Sequence, residues 1–399
     1  MNNQVLSHFD DYCCTFRLIR SALNGISADI SDLSVNWKYI LEISENMSVT
    51  ALVKAGIDLL ADNQNKPEND VYSLFKNELR RLAVLDSNQL YELELMQNKF
   101  EKSETDMLIM KGCFFKKIYP SSVMRYMGDI DTYVKFSDFD RADKILEKLG
   151  YQAEKLGGHD KIFKKPPFIC LEQHFTLYDG KNPEIKNYYD SILKRCNLKN
   201  GFSHIYEMTP EDTYIYLSVH AVHHFNYAGI APRIFIDYYV FMENFKNSLN
   251  WDYVYKKLED FGYCEFDKKA VEIAYCWFGK DGRGLDKSSD LQLFIASCST
   301  YGTMRHNVGI RASKMTKSGR KPSKLKFFLK QLFPEFDKIQ AQNPVLRKFP
   351  LLLPFVWIVY VIKKAFSSTT RHYYGNINKT SSDFYFRMSK ELGLNNQKD

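Results

Sequence analysis

Arg125-Tyr-Met-Gly-Asp-Ile-Asp-Thr-Tyr-Val134 is the stretch on which the reading of this chain turns. Its second half, Ile130-Asp-Thr-Tyr-Val134, alternates in the manner of a half-buried strand. On such a strand Asp129 and Asp131, two residues apart, project to the same face. Two carboxylates held so close repel, and a cation is their natural occupant. Phosphoryl and nucleotidyl transfer needs this pairing, because charge builds on attacking and leaving oxygens together and divalent metal neutralises both. A solvated strand face produces the same spacing, so the neighbouring residues decide between the two readings.

Upstream, Asp106-Met-Leu-Ile-Met110 reads as a short buried strand that runs straight into Lys111-Gly112, with a helix expected over 113–118. Glycine at such a junction lets a phosphate approach the backbone. The helix start offers free N–H groups, and Lys111 adds a point charge. Arg125 is placed to clamp a triphosphate or to orient Asp131, an ordinary ion pair being the alternative. Downstream, Ser137-Asp-Phe-Asp140 caps a helix that Gly150 ends, and two strands over 161–163 and 168–178 meet at Pro166-Pro167. The second strand carries Glu172 and, on the same face, His174. Glu172 suits either a third metal ligand or the base that deprotonates an acceptor hydroxyl, with His174 behind it. Gly157-Gly158-His159-Asp160 reads as a turn from which His159 or Asp160 can reach the same face.

The expected architecture is α+β. A nucleotidyl-transfer core with a small mixed sheet spans 105–190, flanked by an N-terminal helical region over 1–104 and a mostly helical region over 191–399. Helical spacing supports the flanks at 39–41, 51–60, 79–96, 210–225, 234–244 and 251–261, with a polar, proline-containing break at 63–70. In Val219-His-Ala-Val-His-His-Phe225, His220 lies one turn from His223 and His224, a spacing fit for a transition metal. No Glu follows the first His, and packed or hydrogen-bonded histidines explain the segment as well. A substrate-facing role would join His220 and His224 to Arg233 and Asp237 on the next helix.

Composition sets the limits. The 399 residues are 45% hydrophobic and 26% charged, the balance of a globular protein, and the net charge of +7 fits a phosphate-bearing substrate without a strong nucleic-acid signal. Eight basic residues and no acid fall between 311 and 330. A solvated loop, RNA or an anionic membrane surface each suits that stretch. Phe349-Pro-Leu-Leu-Leu-Pro-Phe-Val-Trp-Ile-Val-Tyr-Val-Ile362 is apolar but too short to span a bilayer. The basic pairs Arg347-Lys348 and Lys363-Lys364 leave a peripheral membrane contact open. Eight cysteines without a C-x-x-C spacing and no readable signal peptide lead to an expectation of a reducing cytoplasm.

Lys-Gly, then Arg-x-x-x-Asp-Ile-Asp-x-x-Val, a helix, Gly150-Tyr151 and Glu-x-His together resemble the uncharacterised nucleotidyltransferase family of the DNA polymerase β-like superfamily. The resemblance covers 105–180. It extends more loosely to His220, His223, His224, Arg233 and Asp237, and to Leu-Phe-Pro334 and 350–364. The superfamily usually carries Gly-Ser where this chain has Lys111-Gly112. Members with this pattern are often encoded among bacterial surface-polysaccharide genes. The resemblance implies transfer of a nucleoside monophosphate from an NTP to a hydroxyl acceptor. Asp129, Asp131 and Glu172 would hold Mg2+ or Mn2+, and Lys111, Gly112 and Arg125 would hold the nucleotide. A chain that kept the fold only to bind nucleotide, or to serve as a scaffold at a membrane surface, is the alternative. The identity of the acceptor and the oligomeric state are not legible in the sequence.

Overall fold

The computed structural model describes residues 3–300, 306–307, 309–310, 346, 349–366 and 382–394. The basic segment 311–330 and Leu-Phe-Pro334 lie outside the described residues. The chain forms two compact units, one of 1–222, 231–300 and 392–399, the other of 223–230 and 301–391.

The first unit begins with helices α1 (Asn3–Ser7), α2 (Phe9–Asn24), α3 (Trp37–Asn46), α4 (Thr50–Asp58) and α5 (Asn69–Lys102). Local chemistry sets several of their ends. The Asn36 side chain accepts the N–H groups of Lys38 and Tyr39 at 3.1 and 3.2 Å and so starts α3. The polar break expected at 63–70 separates α4 from α5. In place of the segment expected over 79–96, α5 is one helix of 34 residues, about 51 Å long at 1.5 Å per residue.

The sheet follows. Its strands are β1 (Met107–Ile109), β2 (Ile130–Tyr133), β3 (Gln152–Leu156), β4 (Asp160–Lys165), β5 (Ile169–His174), β6 (Asn197–Leu198) and β7 (Ile205–Glu207). Helices α6 (Lys111–Ile118), α7 (Phe139–Lys148) and α8 (Pro183–Asp190) lie between them in sequence. The order across the mixed sheet is β3-β4-β5-β2-β1-β7-β6. β2 pairs parallel with β5 and antiparallel with β1, while β1 pairs parallel with β7. The sheet therefore runs past residue 190, to Glu207, beyond the expected edge of the core.

Period-two alternation divides the sheet into two faces. Ile130, Phe163, Ile169 and Leu171 face one cluster, packed with Leu93, Met96 and Phe100 of α5 and with Phe139, Ala142, Ile145 and Leu146 of α7. Each large side chain buried in this way contributes roughly 1.5–3 kcal/mol. The residues in between, Asp131 on β2 and Glu172 and His174 on β5, face the other way. No division of the core falls at residue 104, because the last turns of α5 are part of the sheet's own interior.

Beyond the sheet come α9 (Pro210–Ala228), α10 (Pro232–Phe245), α11 (Trp251–Phe261), α12 (Cys264–Phe278) and α13 (Asp290–Ala296). A buried ion pair ties α10 to the segment that leads into β2. Arg125 Nε and Nη2 donate to Asp237 at 2.7 and 2.8 Å, Tyr119 Oη donates to the same carboxylate at 2.7 Å, and Arg125 Nη1 donates to the Tyr126 carbonyl. Arg125 and Asp237 are both buried. Of the readings open for Arg125, the structure shows the ion pair, buried and not at the surface, with Asp237 of α10 as its partner in a mutual brace.

A second buried acid sits on α12. Asp267 accepts hydrogen bonds from Tyr214 and Ser218, each at 3.1 Å, yet burial pushes its carboxyl up to about 6.

The second unit contains α14 (Leu353–Phe366) and α15 (Ser382–Glu391). Gly309 lies against the Tyr385 ring, where a Cβ would come within 1.9 Å of it. The fourteen residues of α14 span about 21 Å, short of the roughly 30 Å of a bilayer's hydrocarbon. No described helix is long and apolar enough to cross a membrane.

Two outcomes follow from these buried charges. Arg125→Leu leaves Asp237 uncompensated and is expected to cost about 3–5 kcal/mol in urea unfolding, with part of the loss restored by Asp237→Leu in the same chain. A stability unchanged in Arg125→Leu would refute the brace. For Asp267, the native acid holds its proton more tightly than the unfolded one. Stability is then full below about pH 4 and falls by about 3 kcal/mol as pH rises through about 6. Asp267→Asn should flatten Tm against pH over that window, and an unaltered slope would show that another group is responsible.

Candidate active site

The register of two parallel strands builds the site. Asp131 on β2 lies opposite Glu172 on β5, and Tyr133 lies opposite His174. On the other side of β5, Ile162 faces Glu172 and Asp160 faces His174. The same alternation that sends Ile130 and Leu171 into the core therefore delivers Asp131, Glu172 and His174 to one patch of the opposite face. One ligand atom from each of these three lies within 4.8 Å of the others.

Contacts within the patch are short. His174 Nε2 lies 3.0 Å from Asp131 Oδ1 and 3.8 Å from Glu172 Oε2. Lys111 Nζ is 3.1 Å from Asp131 Oδ1. Lys111 reaches that point because β1 delivers it as the first residue of α6, with Met110 N–H anchored on the Asp131 carbonyl at 3.2 Å.

The electrostatics follow from burial and like charge. Burial disfavours the ionised Asp131, but Lys111 and His174 outweigh it and hold this carboxyl well below the usual range. Asp129 is raised by burial and by Asp131. Glu172 is pushed up to about 8 by burial, then by Asp129 and Asp131. Against its own burial, Lys111 is held above its ordinary value by Asp131, Tyr216 and Asp129. A hydrogen-bonding contact with Glu172 works the other way and favours the ionised Asp129. Three carboxyl groups thus share one ammonium, and the set is short of positive charge.

This donor set fits a divalent cation. The oxygens of Asp131 and Glu172 are hard ligands of the kind magnesium and manganese take, and Asp129 stands beside them. The metal set expected from the sequence was Asp129, Asp131 and Glu172. Among the described residues, His174 takes the third place in the tight cluster, with Asp129 bonded to Glu172 at its edge.

The other expected residues fall in different places. Gly112 is buried, and a Cβ there would come within 2.6 Å of Met127 Sδ, so a larger residue at this position requires the Met127 side chain to shift. Arg125 and Asp237 form the brace already described. Arg233 on α10 donates to the Tyr126 carbonyl at 3.3 Å, and its charge favours the ionised form of Asp129. His220 lies in the first unit, stacked on Tyr216 with ring centroids 5.9 Å apart. His223 and His224 belong to the second unit, with rings 6.3 Å apart.

Two residues were missed in the sequence. Tyr216, buried on α9, interacts with Lys111, Asp131 and Glu172, and burial pushes its hydroxyl up to about 12. It sits one helical turn before His220, and that spacing was the available signal. Asp179 lies 3.5 Å from His159 Nδ1, and the His159 ring stacks over His174 at 5.7 Å.

The solution structure of antibiotic-resistance factor ANT(2'')-Ia is similar over 47% of this chain and 90% of its own, at 11% identity and a TM-score of 0.25. No curated protein matches. The family model described as uncharacterised nucleotidyltransferase matches residues 34–279, well over half of the chain and the whole of the patch. The chain belongs to the uncharacterised nucleotidyltransferase family, and is an enzyme of that class.

Proposed function

We propose that this enzyme transfers a nucleoside monophosphate from an NTP to a hydroxyl acceptor at the face formed by β2 and β5. The observation that carries this reading is the convergence of Asp131, Glu172 and His174 with the Lys111 ammonium. Asp129, Asp131 and Glu172 are the residues to hold a divalent metal, Mg2+ or Mn2+. When bound, that metal supplies charge neutralisation for the phosphates.

The protein's own groups divide the remaining work. His174 fixes the orientation of Asp131 through its 3.0 Å contact. Lys111 sits at a helix start beside the carboxylates and is the nearest cation for the triphosphate. Arg233, acting on Asp129 from α10, supplies a second and takes the role first assigned to Arg125. The acceptor oxygen forms a bond to the α-phosphorus, the bond to the bridging oxygen breaks, and pyrophosphate leaves. Glu172, opposite Asp131 on β5, either completes the metal-holding set or, as its ionised carboxylate, takes the acceptor's proton. That members with this motif pattern are often encoded among surface-polysaccharide genes supports a hydroxyl acceptor from that assembly.

A second reading concerns place. In the second unit, Phe355, Ile358, Val359 and Ile362 are all more than half exposed and follow helical spacing along α14, with Lys363-Lys364 next in sequence. Such a stripe suits shallow insertion into an anionic bilayer surface, and would hold the enzyme beside a membrane-attached acceptor.

Purified protein should bind NTP in a magnesium- or manganese-dependent manner. Asp129→Asn with Asp131→Asn should lower pyrophosphate release on the order of 10²–10³-fold. Unchanged binding and turnover in that double variant would overturn the site assignment. Nucleotide binding without pyrophosphate release across sugar-phosphate, lipid-linked and protein acceptors would favour a binding protein instead. For the membrane reading, the chain should sediment with phosphatidylglycerol vesicles at low salt, and Phe355→Ser with Ile358→Ser should release it. No sedimentation of the unaltered chain would end that reading.

A further inference from the structure

A cavity of about 350 Å³ lies in the first unit between α2, the loop after it and the loop that follows α12. It shares no lining residue with the patch on β2 and β5. Arg17, Arg20, Lys280 and Arg283 line it, and Asp29 is the one carboxylate among the described lining residues. Its volume falls in the range of pockets that hold small ligands, roughly 300–1,000 Å³.

The charges in this cavity do not cancel. Arg17 is neutralised by Asp32, with Nη2 to Oδ2 at 2.9 Å. The Asp29 carboxylate already accepts the Ser31 N–H at 3.0 Å and the Ser31 hydroxyl at 2.7 Å. Arg20, Lys280 and Arg283 form no ion pair among the described residues, so the cavity lining sets three cations against one carboxylate, while Glu243 and Asp286 act on Lys280 and Arg283 from outside it. Arg20 is half-buried, and burial together with the adjacent Arg17 works against its charge. A desolvated guanidinium beside a second guanidinium is a costly arrangement unless an anion completes it.

The cations are also held in place. Arg20 Nε donates to the Trp277 carbonyl at 3.1 Å, and Asn24 Nδ2 donates to the Phe278 carbonyl at 2.9 Å, so the end of α2 is stitched to the end of α12. From that end, Gly279-Lys-Asp-Gly-Arg-Gly284 folds back, with Gly282 N–H on the Gly279 carbonyl and Gly284 N–H on the Cys276 carbonyl, both at 2.9 Å. Gly284 has φ +84°, and a Cβ there would lie 3.4 Å from Arg20 Nη2. The tight loop thus brings Lys280 and Arg283 to the cavity that Arg20 already lines.

We infer that this cavity is a second ligand site, specific for a phosphate-bearing small molecule whose dianionic group is gripped by Arg20, Arg283 and Lys280. The surplus of two positive charges matches a phosphate monoester or a pyrophosphate. The guanidinium fork is the geometry that recognises such oxygens. The inference does not depend on what reaction the β2–β5 face performs.

The test is calorimetric titration of the whole chain with inorganic pyrophosphate in EDTA, where metal-dependent binding at the β2–β5 face is suppressed. Binding is expected, weakening as sodium chloride is raised. It should fall roughly tenfold in Arg20→Gln and again in Arg283→Gln, while Lys111→Gln binds as the unaltered chain does. Arg283 is exposed, so Arg283→Gln and Lys280→Gln test the site even if Arg20→Gln fails to fold. No binding by the unaltered chain would overturn the inference. So would binding that is lost in Lys111→Gln and kept in Arg283→Gln, since the pyrophosphate would then sit at the other face.

Discussion

Parallel pairing of β2 with β5 sets Asp131 directly opposite Glu172, and much of the first unit can be understood as the cost and use of that juxtaposition. Buried carboxyl groups on neighbouring strands raise one another's energy unless a cation stands among them. Lys111 meets part of that demand, which requires β1 to end and α6 to begin beside the pair. Met127 packed on Gly112 keeps that helix start close to the sheet. Negative charge remains unbalanced on that face, and its carboxylate and imidazole atoms lie close enough together to hold a metal ion.

A second constraint works at longer range. Arg125 precedes the aspartates by a few residues but spends its charge on Asp237, 112 positions later. The brace fixes the entry into β2 from outside the sheet, and it carries Arg233, one turn before Asp237 on α10, toward Asp129.

This contrast explains what the sequence did and did not disclose. The shared face of Asp131, Glu172 and His174 was legible because strand alternation is local. The α+β class was legible for the same reason, from apolar runs that change period near residue 105. For Arg125 an ion pair was one of the readings open, but its partner Asp237 is set by tertiary packing, which no spacing encodes. Strands β6 and β7, two and three residues long, are too short for a period to register. Tyr216 sat unseen inside α9, where an aromatic residue on an apolar face looks like any other core residue. Met127 beside Gly112 is a tertiary neighbour that spacing does not reveal.

The length of α5 has one further consequence. A single rod of 34 residues packs against the N-terminal helices along part of its length and supplies Leu93, Met96 and Phe100 to the interior of the sheet at its end. Severing the chain at the boundary its sequence suggests would strip the sheet of its backing and open its dry side to water. In this molecule the sheet and the rod share one interior, and any fragment, fusion or transplant that keeps the face of Asp131 and Glu172 must keep the end of that rod as well.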